Sequence, residues 1–149
     1  MSTTNFLIDD RTEGEYLHNV DKYQNRLPEI CRIWSQIDGQ EWSVISEELH
    51  IDLEQVADKG DLECNTTGEL LEVKEVGHFP IIVVKSYQLR NHRNEQIDYL
   101  IIRNKVLYCR VGVGELLELG DYLPTKLRIW GGKGDFGILV EKLTWGKFI

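Results

Sequence analysis

The sequence predicts an α+β fold, because its first part has a helical pattern and the remainder has the pattern of strands. Between residues 13 and 35, apolar side chains recur three and four positions apart, the spacing of an amphipathic helix. After about residue 60, short apolar runs alternate with turn-forming residues, as in successive β-strands. At 149 residues, the chain fits one domain, 1–149, with a substantial core.

Pro28 divides the helical part in two. A proline ring disfavours helical geometry at the preceding residue but is tolerated in the first turn of a helix. We therefore expect a second helix to begin at Pro28 and to end before the turn-forming residues 37–40. Glu29 then lies in the first turn, where the helix dipole favours a carboxylate.

Residues 60–74 have the pattern of a strand, a polar turn and a second strand. Asn65 tolerates left-handed backbone geometry and Gly68 adopts it freely, so the turn falls between them. If the turn is centred on residues 66 and 67, the numbers of paired residues sum to 133.

This register brings two acids and a lysine to one patch. Asp61 would lie directly opposite Glu72, with Cβ atoms roughly 4.5–5.5 Å apart. Lys74 is two residues beyond Glu72 and projects from the same face of the strand. The other face carries apolar residues that would anchor the hairpin to a core: Leu62, Leu71 and Val73.

Two opposed carboxylates repel each other, and a divalent cation with oxygen ligands such as Mg²⁺ removes the conflict. The ion would bind a phosphate and activate a water. Lys74 could orient or deprotonate the water, or offset charge building on phosphorus. The alternative interpretation is an ordinary surface hairpin with a cross-strand cluster of charges.

The net charge of −8 is unevenly distributed. Residues 1–75 hold 18 acidic and 6 basic residues, a net of −12, whereas residues 76–149 hold 7 acidic and 11 basic, a net of +4. An acidic chain can bind DNA through a locally basic face. The acidic half also fits a solvated surface, or a non-catalytic inhibitor or immunity-type protein whose acidic interface mimics nucleic acid.

Basic and amide side chains follow the hairpin, on or beside the predicted strands of a region at about 76–140. Arg, Asn and Gln can pair bidentately with base edges in the major groove, and Lys can contact phosphates. A two-stranded ribbon carrying them would suit the groove, although an ordinary polar hairpin would have the same composition. The candidate DNA-binding residues are Lys85, Gln88, Arg90, Asn91, Arg93, Arg103 and Lys105.

Localisation is predicted from what the sequence lacks. The three cysteines show no metal-binding spacing and fit reduced, mostly buried thiols. The first residues do not have the pattern of a secretory signal, and no apolar run approaches the roughly 20 residues of a membrane span. We therefore expect a cytoplasmic protein without a membrane partner.

The order of these features resembles the PD-(D/E)xK nuclease superfamily, which includes restriction endonucleases and Holliday-junction resolvases. Helices come first, then Asp61, and after eleven residues the run Glu72-Val73-Lys74 in an apolar strand. The resemblance implies a restriction-endonuclease-like core, a mixed β-sheet flanked by helices, with an additional antiparallel β-ribbon. Residues 28–75 would form the catalytic core.

The resemblance also implies roles for individual residues. Asp61, Glu72 and the carbonyl of Val73 would bind Mg²⁺, and Lys74 would be the catalytic lysine. Such families often add a helical glutamate about thirty residues before the aspartate. Glu29 is the best match for this catalytic position, and Glu15 is the fallback.

The chain departs from the family pattern at two places. Gly60 stands where the family has a proline. Residues 75–89 have a strand pattern where the family usually packs a helix.

The chain as a whole also resembles bacterial homing endonucleases that are encoded in group I introns and carry this nuclease fold. That resemblance implies site-specific, Mg²⁺-dependent cleavage of a long double-stranded DNA target. It also implies self-association as a homodimer or homotetramer, because cutting two strands needs two active sites and each chain has one. A structure-specific junction resolvase is the alternative nuclease.

Overall fold

The computed structural model describes residues 25–45, 60–85, 89, 92–122 and 135–149. The predicted first helix lies outside the described residues. So do four of the residues singled out above: Glu15, Gln88, Arg90 and Asn91.

The described residues have the predicted α+β content. The helices are α1 (Leu27–Asp38) and α2 (Val113–Leu119), and Val140–Lys142 forms a 3₁₀ turn. The strands are β1 (Trp42–Val44), β2 (Leu62–Cys64), β3 (Leu70–Val76), β4 (Ile81–Lys85), β5 (Ile97–Arg103), β6 (Leu107–Val111), β7 (Asp121–Tyr122), β8 (Asp135–Leu139) and β9 (Gly146–Lys147).

The strands form two sheets. The main sheet has six strands in the order β1-β2-β3-β5-β6-β9, and the second has three in the order β4-β8-β7. Strands β3 and β5 are parallel, whereas every other neighbouring pair is antiparallel. The prediction of a mixed sheet is therefore confirmed.

Helix α1 begins and ends where the sequence predicts. Pro28 lies in its first turn. The helix ends at Gly39, which has φ 76° and donates its backbone N–H to the Ser35 carbonyl at 3.0 Å. A glycine in the left-handed region is the usual helix terminator, because it lacks the Cβ that other residues would crowd. The buried stripe of Leu27, Ile30 and Trp34 packs against the main sheet.

The core lies on both faces of the main sheet. On one face, β5 contributes Leu100 and Ile102 to the cluster that contains α1. On the other, its Tyr99 and Ile101 pack with the second sheet and α2. Because β5 is buried on both faces, it occupies the centre of the sheet.

The second sheet is the additional antiparallel unit that the sequence predicts. The strand at Ile81–Lys85 pairs with β8, not with β5, and so belongs to the second sheet. The additional antiparallel unit is thus a three-stranded sheet packed against the main one. Its strands β4 and β8 bury Ile82, Val84, Phe136 and Ile138 in the core shared with the main sheet.

Two further predictions concern composition. The cysteines Cys31, Cys64 and Cys109 are free and buried, as expected. Burial raises the pKa of the Cys109 thiol to about 11. Among the residues that the structure describes, no helix has the length and apolar character that crossing a bilayer requires.

Candidate active site

The central hairpin has the predicted register. Leu62 pairs with Leu71 and Glu63 with Leu70, so the paired numbers sum to 133. Gly68 has φ 76° and donates its N–H to the Cys64 carbonyl at 2.9 Å. The predicted turn chemistry is therefore confirmed.

The ladder ends at Leu62 and Asp61 lies in the bend before it, so the predicted pairing of Asp61 directly opposite Glu72 is not formed. The Asp61 N–H donates to the Leu71 carbonyl at 2.7 Å. The hairpin register pairs Leu71 with Leu62, so this bond is displaced by one residue. Gly60 permits the bend, since its φ is +80° and a Cβ there would meet the Leu71 oxygen at 2.8 Å. Continuing the ladder would pair Val73 with residue 60, but the Val73 N–H donates instead to Asp61 Oδ2 at 2.8 Å. The Asp61 carboxylate thus replaces a backbone acceptor, and Asp61 is completely buried.

Glu72 and Lys74 lie on the face of β3 that points away from α1. Their neighbours across the parallel pairing are Tyr99 and Ile101, which belong to the core on that face. Val73, between them, is buried on the α1 side. The Glu72 side chain is 19% exposed, so solvent reaches the site at Glu72 and not at Asp61.

His92 adds a group that the sequence did not indicate. It is completely buried, with Nδ1 2.5 Å from the Tyr99 hydroxyl oxygen and Nε2 3.5 Å from Glu72 Oε2. The imidazole and phenol rings meet edge to face, with centroids 5.1 Å apart. His92 is 20 positions after Glu72 in a polar segment, and no local spacing links the two. Only the return of the chain into β5 brings them together.

Glu29 takes part in an ion pair at the start of α1. Glu29 accepts a hydrogen bond from Arg26 at 3.1 Å, and its side chain is 46% exposed. Arg26 also donates to Glu75 Oε1 at 2.5 Å. Because side chains alternate along a strand, Glu75 lies on the α1 face of β3, across the sheet from Glu72. Glu29 thus takes part in an ion-pair network at the start of α1, and its role as a further acid of the site stays a prediction.

A second ion-pair network occupies the α1 face at the other end of β3. Arg110 on β6 pairs with Glu69 at 2.5 Å and with Asp98 at 3.4 Å. Its guanidinium lies over Trp34 and Trp42, 5.9 and 5.7 Å from the ring centroids. The hydrogen bond from Arg110, followed by that from Thr67, holds the pKa of Glu69 below its ordinary value. These charges stabilise the fold and lie apart from the candidate site.

The candidate DNA-binding residues that are described do not form one patch. Arg93 is exposed before β5, and Lys105 is exposed in the turn after it. The seven residues of β5 separate them by roughly 20 Å. Arg103 is turned towards the Trp145 ring, 5.9 Å from its centroid, with its Nε buried. Lys85 lies at the end of β4.

Mg²⁺ prefers oxygen ligands, and the candidate site has two carboxylates, Asp61 and Glu72. Within residues 25–45, 60–85, 89, 92–122 and 135–149, no group of three or more His, Cys, Asp or Glu side chains could hold a metal. Mg²⁺ does not need one, because it usually takes one or two carboxylates and completes its shell with water and phosphate oxygens. Asp61 and Glu72 supply that number. A carboxylate has about four lone-pair positions, so the bond from Val73 to Asp61 is compatible with a metal.

No known family model matches the chain, and no curated protein matches it either.

Proposed function

We propose that the chain is a Mg²⁺-dependent, site-specific endonuclease that hydrolyses phosphodiester bonds of double-stranded DNA. The observation that supports this proposal best is the β2–β3 hairpin. It places a buried acid at the end of one strand, and an acid and a lysine on one face of the next. A rigid pair of strands anchored by Leu62, Leu71 and Val73 is a suitable scaffold for pre-organised catalytic groups.

In this proposal Asp61, Glu72 and the carbonyl of Val73 hold the ion. When bound, Mg²⁺ stabilises negative charge at the phosphate and lowers the pKa of a bound water. The N–H of Val73 holds the Asp61 carboxylate in place, so this acid need not reorganise during the reaction. Glu72 is the acid nearer to solvent, and so it faces the side from which a phosphate would arrive.

Lys74 carries the positive charge of the site. It shares a face of β3 with Glu72, and its ammonium group can donate hydrogen bonds to the non-bridging phosphate oxygens. It would thereby offset the charge that builds on phosphorus as the water attacks.

Site specificity and self-association follow from the size of the target. Arg93 and Lys105 are exposed at opposite ends of β5 and would contact separate positions on the duplex. A homodimer or homotetramer would supply the second active site for the second strand and extend the contacted DNA.

The excess of acidic residues in 1–75 favours one candidate of another class, a non-catalytic inhibitor or immunity-type protein. Its acidic surface would bind the basic site of a nucleic-acid-binding protein. Such a protein would itself have no affinity for DNA.

Substitution of Lys74 tests the proposal. Lys74→Ala should lower the rate of cleavage of a duplex pool by about 10²–10³-fold in Mg²⁺, because it removes charge stabilisation of the transition state. Binding of the same pool in Ca²⁺ should survive. Lys147→Ala is the matched control, since Lys147 is exposed on the edge strand β9.

Undiminished cutting by Lys74→Ala would exclude this site. Measuring duplex binding over a range of salt concentrations separates the two classes, since a DNA-binding protein loses affinity as salt rises. Absence of any DNA binding would favour the inhibitor.

A further inference from the structure

We propose that His92, held by the Tyr99 hydroxyl, is a positioning residue that orients the Glu72 carboxylate for metal binding. This inference rests on the proposed function. It adds a Glu72–His92–Tyr99 relay, which we define by these three residues, to a site in which the sequence indicated no histidine.

The relay is a consequence of the sheet topology. Glu72 and Tyr99 are partners in the parallel pairing of β3 and β5, so their side chains project side by side from one face. His92 lies in the helical segment 92–94 that precedes β5, where Gln96 turns the chain with φ 57°. The imidazole is thereby enclosed above Tyr99, completely buried and within reach of Glu72.

The hydrogen-bonding capacity of the three groups fixes the direction of the relay. An ionised carboxylate only accepts, so the nitrogen that faces Glu72, Nε2, must carry a proton in order to donate. In the neutral imidazole, Nδ1 is then an acceptor, and the Tyr99 O–H donates to it across 2.5 Å. The relay therefore runs from the Tyr99 O–H to His92 Nδ1, and from the His92 Nε2–H to Glu72.

In this structure the contact between His92 and Glu72 is longer than a hydrogen bond. At 3.5 Å, Nε2 is farther from Oε2 than in an ordinary N–H···O bond of about 2.9 Å. Catalytic hydrogen bonds in unliganded sites are often long and tighten when the site is loaded. Groups that orient a metal-binding carboxylate commonly influence metal affinity by about 10–100-fold.

The test is direct binding of Mn²⁺ to the full chain, measured by electron paramagnetic resonance of the free ion. His92→Ala should weaken Mn²⁺ binding by about 10–100-fold. Tyr99→Phe keeps the ring but loses the hydroxyl, and should weaken binding in the same direction by less. His92→Gln returns an N–H donor near the position of Nε2 and should restore part of the affinity, which a merely structural role would not produce.

Two controls distinguish this inference from the proposed function. Glu72→Gln should weaken Mn²⁺ binding strongly, whereas Glu75→Gln, on the same strand and the opposite face, should not. If Glu72→Gln weakens binding but folded His92→Ala and Tyr99→Phe bind like the wild type, the relay is overturned and the metal site stands. If the wild type takes up no Mn²⁺, both proposals fall.

A second measurement needs no metal. Long-range proton–nitrogen correlation spectra report which ring nitrogen of a histidine carries the proton, and His92→Gln identifies the His92 signal among the four histidines. The relay predicts the Nε2–H form in the wild type. Finding the Nδ1–H form would overturn it.

Discussion

At the scale of single residues, Asp61 owes its position to backbone hydrogen bonding. The hairpin register would give Val73 a backbone acceptor at residue 60, and the bend at Gly60 removes it. Buried N–H groups need partners, and the Asp61 carboxylate supplies one. Asp61 is therefore held in place because a buried backbone N–H needs a hydrogen-bond acceptor, which is also the reason that strands pair in a sheet.

Gly60→Ala should destabilise the protein and misplace Asp61. Alanine at φ +80° is strained, and its Cβ would collide with the Leu71 carbonyl. We expect a loss of about 1–3 kcal/mol in the free energy of unfolding, measured by urea denaturation, and weaker Mn²⁺ binding.

Gly68→Ala provides the matched control in the same hairpin. Its φ is +76°, but a Cβ there meets nothing within 4 Å. Gly68→Ala should therefore lose only the free energy that an alanine loses in the left-handed backbone conformation, because its Cβ collides with no other atom. Equal losses for the two variants would contradict the role assigned to the close approach at Gly60.

The sequence predicted those site residues that are close together along the chain. Asp61, Glu72 and Lys74 lie in or next to one hairpin, whose register between Leu62 and Leu71 follows from local turn chemistry. His92 could not be found in this way, because its contact with Glu72 depends on a crossover between parallel strands. Nor does spacing along the chain indicate which face of the sheet a helix covers, so it did not reveal the ion pair between Glu29 and Arg26.

At the scale of elements, local signals account for the ends of α1 and for the turn between β5 and β6. Pro28 and Gly39 delimit α1, and the turn between β5 and β6 has positive φ at both Asn104 and Lys105, 52° and 65°. This is the backbone geometry of the type I′ turns that suit hairpins. Pairing was harder to predict for β4, whose partner β8 is more than fifty residues away. A β-branched run suits the interior of either sheet, so composition alone does not select the partner.

The ion pair between Arg110 and Glu69 ties β6 to the start of β3, and it should stabilise the fold in a pH-dependent way. Because the folded state holds the pKa of Glu69 below its ordinary value, the stabilisation is present above that ordinary value. It is lost as the pH falls through the lowered pKa. Glu69 is 44% exposed, so we expect no more than about 1 kcal/mol.

Comparison of the wild type with Glu69→Gln tests this. The difference in unfolding free energy between the wild type and Glu69→Gln should be largest near pH 7 and should shrink towards about pH 3. Glu63→Gln, an exposed substitution on the adjacent strand, serves as the control. If this difference in free energy grew as the pH fell, the predicted direction of the pH dependence would be wrong.

At the scale of the whole molecule, the two faces of the main sheet have different roles. The α1 face is closed by a helix and two ion-pair networks, those of Arg26 and Arg110. The other face holds Glu72, Lys74 and the buried imidazole, beside the second sheet. The uneven charge along the sequence did not predict this division, because both faces draw residues from both halves of the chain.

Assembly is the prediction that belongs to this scale. If one chain carries one site, concerted cleavage of both strands requires two or four copies. Sedimentation equilibrium should give two or four times the mass of one chain, at protein concentrations at which DNA is cut. Glu72→Gln should form the same assembly but should not cut DNA. A monomer that cuts both strands in one binding event would contradict the expectation.

The parallel pairing of β3 and β5 also sets the order in which the site is assembled during synthesis. The hairpin with Asp61, Glu72 and Lys74 leaves the ribosome first and can close at once. The imidazole and the phenol follow only after residues 77–96 have emerged and β5 has docked beside β3. Until residue 99 has emerged, the nascent chain therefore presents Asp61, Glu72 and Lys74 without the His92–Tyr99 pair, and the crossover delays completion of the candidate site.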